Sequence, residues 1–265
     1  MKVPPRACDC HVHVFGPAAR FPLAPDRTYT PPDASIDELL KLQEQLGLER
    51  VVIVQPSVYG TDNSCTLDAL KQLGSRARGV AVIDARSDLR EMKKAGVRGV
   101  RVNLQTGGIE DPAAAQRLLD EAASRIRSLG WHVQVFTNLK LLKRIERLPA
   151  PLVVDHFGSP RDQQDADYLV SLVRTGNVYV KLSGPHRCKV DPGELTRRLV
   201  AAVPERCVWG SDWPHPPSGA RNPGRVQPFD PIDDVAALER LHEWVGDAAL
   251  FRKILVDNPA RLYDF

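Results

Sequence analysis

No stretch of this 265-residue chain approaches the ~20 consecutive apolar residues that a membrane-spanning helix needs, which argues against a membrane partner. Lys and Arg never gather in a long run, and aromatics make up only 6% of the residues, so nucleic acid is a poor fit. No CxxC spacing occurs among Cys8, Cys10, Cys65, Cys188 and Cys207. An odd set of scattered thiols suits free cysteines in a reducing compartment. The start, MKVPPRACDC, lacks the apolar run of a secretory signal, and the expected location is cytoplasmic.

What is present is a regular alternation. Short β-branched runs recur at Ala7–Val14, Arg50–Gln55, Gly79–Ile83, Gly99–Leu104, His132–Phe136, Leu152–His156, Asn177–Leu182 and Arg206–Trp209. Runs such as VVIVQ read as parallel strands buried on both faces. Amphipathic segments lie between them. SIDELLKLQEQLG carries capping-box spacing at Ser35 and Glu38 and a stop at Gly47. PAAAQRLLDEAASRIRSLG starts on Pro112 and ends at Gly130. Eight such units predict one α/β domain over residues 1–265, a (β/α)8 TIM barrel. An open doubly wound sheet is the rival, but no GxGxxG follows the first strand. Two long proline-rich segments, Phe15–Ser35 and Pro214–Pro231, follow the first and last strands, where a barrel builds its active site.

Residues one apart on a strand face the same way, so His11 and His13 are expected to point together into the barrel mouth, with Asp9 below them on that face. VVDHFG puts His156 at the end of the sixth strand, and GSDWPHP puts Asp212 beyond the eighth. A closed barrel would bring these three imidazoles and one carboxylate together.

DCHVHVFG, VVIVQPSVYGTDN, VVDHFG, GSDWPHP and NPARLY resemble the amidohydrolase-related (amidohydrolase 2) family, in its 2-pyrone-4,6-dicarboxylate lactonase-like branch. The resemblance runs from Asp9 to Tyr263 and implies a distorted, amidohydrolase-like barrel that hydrolyses a cyclic ester. It also implies that Arg101, Arg187, Tyr29, Ser57 and Asn63 contact the substrate, a small anionic lactone. The chain departs from binuclear relatives: the fourth strand, GVRVNLQ, has no lysine, and the fifth, HVQVF, begins rather than ends with its histidine, His132. The branch resembled is one that works without metal, so no cofactor is expected. If one divalent metal such as zinc is bound, His11, His13, His156 and Asp212 would hold it. An arginine of the lactonase branch is replaced near Gly107 by QTGG, and a tyrosine by Phe136, so a second carboxylate should bind poorly, and a related lactone with fewer or differently placed anionic groups is expected rather than pyrone dicarboxylate itself. The expected chemistry has Asp212 as general base and all three imidazoles donating to the carbonyl oxygen. A metal-dependent lactonase or decarboxylase on the same barrel, a non-catalytic barrel that binds an anionic metabolite, and assembly into a homo-oligomer stay open.

Overall fold

The computed structural model describes residues 1–217 and 221–265. Eight parallel strands form one sheet in chain order. They are β1 (Cys8–Val12), β2 (Arg50–Val54), β3 (Ala77–Ala81), β4 (Val97–Asn103), β5 (His132–Phe136), β6 (Leu152–Val154), β7 (Val178–Leu182) and β8 (Cys207–Trp209). A helix follows each strand: α1 (Ile36–Leu46), α2 (Ser64–Leu73), α3 (Leu89–Lys94), α4 (Pro112–Ile126), α5 (Leu139–Leu142), α6 (Gln163–Val173), α7 (Pro192–Ala202) and α8 (Asp234–Val245). The fold is therefore the expected barrel, with all eight strands where the apolar runs lie. The capping box of α1 is formed, and Gly47 adopts the left-handed conformation that ends the helix. No helix among the described residues is long and apolar enough to cross a membrane.

No ladder joins β8 to β1. The seam is closed instead by a bridge between Val12 and Trp213, with His13 N–H donating to the Trp213 carbonyl at 2.8 Å and Asp212 N–H to the His11 carbonyl at 2.9 Å. Gly210 makes this closure sterically feasible: a Cβ there would lie 2.6 Å from the His11 Cβ and 2.7 Å from its backbone nitrogen. The barrel is distorted at this point, directly beside the candidate site.

Alternation along the strands sorts two cores. Val51, Ile53, Val133, Val135, Val180 and Leu182 belong to the outer core under the helices. Cys8, Cys10, Val52, Val54, Val80, Val208 and Tyr263 pack inside the barrel as its floor. The β1 register slips between Asp9 and Val12, a β-bulge. This overturns the expected placement of Asp9 beneath the histidines. Strict alternation would send His11 outward with Asp9; the extra residue instead lets Cys10 and His11 both face inward. Asp9 lies in the seam, where its Oδ1 accepts from the N–H groups of His11 and Ser211, both at 3.0 Å.

His132 sits in the floor, fully buried, edge-on to Tyr263 at 5.2 Å. Gly99 is needed opposite it, since a Cβ there would meet the ring at 2.4 Å. Burial, with help from the Lys181 charge, pulls the His132 pKa down to about 3. An unfolded chain takes up this proton near pH 6.5 and the folded one does not, so stability falls as pH drops from 6.5 towards 3. Between pH 7 and pH 5 the parent should lose about 2 kcal/mol more than His132→Leu in urea unfolding. Parallel stability curves for the two proteins would refute it.

Candidate active site

The carboxylate of Asp212, just past β8, is the centre of the mouth. Its Oδ1 lies 3.6 Å from His11 Nε2, 3.6 Å from His13 Nε2 and 3.7 Å from His156 Nε2. Its Oδ2 accepts from Arg187 Nη2 at 2.9 Å. Three segments distant in sequence thus meet around one carboxylate, as the strand spacing requires. Asp212 and His156 both have left-handed backbone, at φ 72° and 52°. That conformation costs roughly 1–2 kcal/mol in a residue with a Cβ, and here it turns both side chains into the mouth.

Each imidazole is held by its other nitrogen. His13 Nδ1 lies 2.7 Å from the Val54 carbonyl, which can only accept, so Nδ1 carries a proton. In the neutral Nδ1–H tautomer its Nε2 offers a lone pair towards Asp212, and the expected donation from Nε2 requires the second proton. His156 Nδ1 is 2.9 Å from the Ser183 hydroxyl, leaving Nε2 to face Asp212. Burial holds the His156 pKa down to about 3 despite the Asp212 carboxylate, so the ring is neutral near pH 7. Burial and the Lys181 charge likewise push His11 well below the usual imidazole range. Burial works against the charge of Asp212, but the opposite charges of His156 when protonated and of the Arg187 guanidinium outweigh it and hold the carboxyl well below its ordinary range.

Beneath the mouth lies a polar layer that the sequence reading passed over. Asp155, fully buried at the end of β6, faces His11 Nδ1 at 3.3 Å, Lys181 Nζ at 3.5 Å and Arg101 Nη2 at 3.4 Å. Gln134 donates to Asp155 Oδ2 at 3.1 Å and accepts from Lys181 Nζ at 2.7 Å. Lys181 Nζ is also 3.3 Å from His11 Nδ1. Burial lowers Lys181 below the usual amine range. The sequence held the signal: a charge inside VYVKL or directly after LVV is anomalous in a strand buried on both faces.

The chamber above Asp212 is small, about 30 Å³, and is lined by Tyr29, Ser57, Arg101, Phe136, Arg187 and Arg221 among others. It opens into an outer basin of about 640 Å³ that shares Thr106, Phe136, Arg187 and Arg221 with it. Arg161, Arg187, Lys189 and Arg221 line the basin, and no carboxylate among the described residues does. Tyr29 comes from the first long loop. That loop is tied to the second by a Thr30–Val226 bridge and by Thr30 Oγ1 donating to the Pro223 carbonyl at 2.8 Å. Both proline-rich segments therefore roof the mouth, although Ser218, Gly219 and Ala220 of the second lie outside the described residues. Asn63 is not part of the chamber wall. Its amide donates to the carbonyls of Thr61 and Val82 and accepts from Val82 N–H, which makes it a loop fastener.

His11, His13 and Asp212 present three N/O donor atoms within 4.8 Å of one another, and His11, Asp155 and His156 form a second such trio. The expected four-donor set is thus divided between two overlapping groups. In donor type and reach the first trio suits one divalent cation.

The profile of the amidohydrolase family matches residues 8–265. The chain is 37% identical to a 2-pyrone-4,6-dicarboxylate hydrolase of Comamonas testosteroni, over 99% of this chain and 91% of that protein. It is also 37% identical to a 4-sulfomuconolactone hydrolase of Hydrogenophaga intermedia, over 98% and 89%. A crystal structure from Agrobacterium tumefaciens, solved in the apo state, superposes with a TM-score of 0.82 at 27% identity, covering 99% of this chain and 97% of that one.

Proposed function

The chain belongs to the amidohydrolase family, and from that premise we propose that it hydrolyses a carboxylated lactone. One observation carries the reading: an ionised Asp212, ringed by three imidazole nitrogens, lies at the neck of a basin walled by cations. Such a basin concentrates anions and rejects cations.

The attacking water sits between two acceptors, Asp212 Oδ1 and His13 Nε2, and its two protons satisfy both. Asp212 takes one of them as water adds to the lactone carbonyl. His156, neutral and with Ser183 at its Nδ1, donates from Nε2 to the oxygen that gains charge. The tetrahedral intermediate then expels the ring oxygen, and the proton on Asp212 passes to it. Arg101 and Arg187 hold a substrate carboxylate so that the carbonyl meets the water, converting binding into positioning. Tyr29 and Ser57 border the same space, and Phe136 closes it with an apolar face.

A divalent cation on His11, His13 and Asp212 would supply Lewis-acid polarisation of the carbonyl. The charges already present weigh against needing one. Arg101, Lys181 and Arg187 outnumber Asp155 and Asp212 in this buried space, and a dication would add to the excess. Purified protein should therefore open carboxylated lactones, read as loss of ultraviolet absorbance or release of acid, at the same rate before and after dialysis against a chelator. Activity lost to the chelator and restored by zinc would overturn the metal-free mechanism. No ring opening across a panel of carboxylated lactones would overturn the function.

A further inference from the structure

Arg221 differs from the other arginines of the chamber. Arg101 has Asp155 at 3.4 Å and Arg187 has Asp212 at 2.9 Å. Arg221 has no carboxylate within 4.0 Å among the described residues, and the surrounding basin wall supplies none. Its guanidinium is nonetheless fixed. Nη1 donates to Thr106 Oγ1 at 3.0 Å, Nε donates to the Pro217 carbonyl at 3.4 Å, and the group lies over the Tyr29 ring at 5.1 Å. Asn222, next in the chain, donates its N–H to Gln227 Oε1 at 2.7 Å, and Gln227 N–H reaches the Thr30 carbonyl at 2.8 Å. Among the described residues, a cation is thus built into the mouth by neutral partners, with its charge left for something else.

Its location is informative. Thr106 belongs to QTGG, the segment after β4, which itself offers no basic side chain. Arg221 crosses from the β8 side to reach it. Arg101 lines the inner chamber alone, while Arg187 and Arg221 line both chamber and basin; Arg187 is committed to Asp212 at 2.9 Å, which leaves Arg221, among the described residues, as the cation without a carboxylate where the chamber meets the basin. The mouth therefore has an inner and an outer cationic position. A ring bearing one anionic group engages only the inner position and leaves the half-buried Arg221 against neutral groups. A ring bearing two spans both.

We propose that Arg221 is a specificity-determining residue, which selects among anionic rings those carrying a second anionic substituent on the basin side. This deepens the lactone reading and rests on it for the identity of the ring. Arginine suits the task because a planar fork meets carboxylate or sulfonate through paired N–H donors and never loses its charge. The cost of ignoring it is asymmetric: a site built around a cation discriminates against ligands that leave it unpaired.

The test separates recognition from turnover. Isothermal titration of the full chain with isophthalate and with benzoate compares a planar dianion with its monoanion, and neither can be hydrolysed. The parent should bind isophthalate at least about tenfold more tightly, and Arg221→Met should bring the two affinities to within about threefold. Arg221→Lys keeps the charge without the fork and should give an intermediate ratio. Equal loss of affinity for both ligands in Arg221→Met, or no preference in the parent, overturns the proposal. If the preference behaves as expected while no lactone is opened by the parent, the anion site stands and the lactonase reading falls. If lactones are opened and the ratio is unmoved by Arg221→Met, the reverse holds. Repeating the titration with 3-sulfobenzoate shows whether the outer position accepts sulfonate as well as carboxylate; a preference over benzoate that persists in Arg221→Met would also count against Arg221.

Discussion

Asp212→Asn should lower turnover on a carboxylated lactone by on the order of 10³–10⁴-fold, the range spanned by loss of a general base together with its local electrostatics. The fold should survive. Asp212 has a φ of 72°, and asparagine tolerates this left-handed conformation as well as aspartate does, so the exchange adds no backbone strain. The amide fills the same volume and still offers an oxygen to Arg187 Nη2, 2.9 Å away. What it cannot do is accept the proton of a water held against His13 Nε2. The measurement pairs kcat with circular dichroism and the thermal midpoint. A kcat within tenfold of the parent, with folding intact, would remove Asp212 from the role of base. A collapse in kcat together with loss of structure would be uninformative for alanine, which is why asparagine is the variant to make.

The legible part of this site follows from periodicity. Eight apolar runs force the strand ends onto one face of a barrel, so the segments that carry His11, His13, His156 and Asp212 converge by topology. The illegible part has three physical origins. The β1 bulge shifts parity by one residue between Asp9 and Val12, and no propensity scale marks it; only the Gly210 contact across the seam hints that the backbones crowd there. Asp155, Gln134 and Lys181 sit within runs whose apolar content dominated the reading, although a charge in such a run was itself the clue. Arg221 owes its place to a clasp between two irregular loops, set by single hydrogen bonds such as Thr30 Oγ1 to Pro223, which sequence spacing cannot express. Asn63, a family position near substrate, commits its amide to three bonds with backbone groups of neighbouring loops, a fastening that spacing cannot express.

Asp155→Asn tests the layer beneath the mouth, and the expected effect is a loss of roughly 3–5 kcal/mol in stability, the usual result of stripping one partner from a buried ion pair. Asp155 is the carboxylate that faces both Lys181 and Arg101, at 3.5 and 3.4 Å, and all three side chains are nearly or wholly buried. Burial opposes the carboxylate charge, yet the His11 ring, Lys181 and Arg101 around it prevail and keep it ionised. Replacing it by an amide leaves two cations without an anion. For a chain of this size the thermal midpoint should fall by on the order of 10 °C. Lys181, already lowered by burial, has an escape in this variant: it can fold in the neutral form. The unfolded chain keeps its amine protonated to about pH 10, so folding would then release a proton and stability would rise with pH. The variant should therefore regain part of its deficit relative to the parent between pH 7 and pH 9. Lys181→Met added to Asp155→Asn should recover part of the loss at pH 7 and abolish that pH dependence, because the stranded amine is gone. A purely steric role for Asp155 predicts neither signature. A midpoint within about 2 °C of the parent at every pH would show that this carboxylate does not hold the layer together.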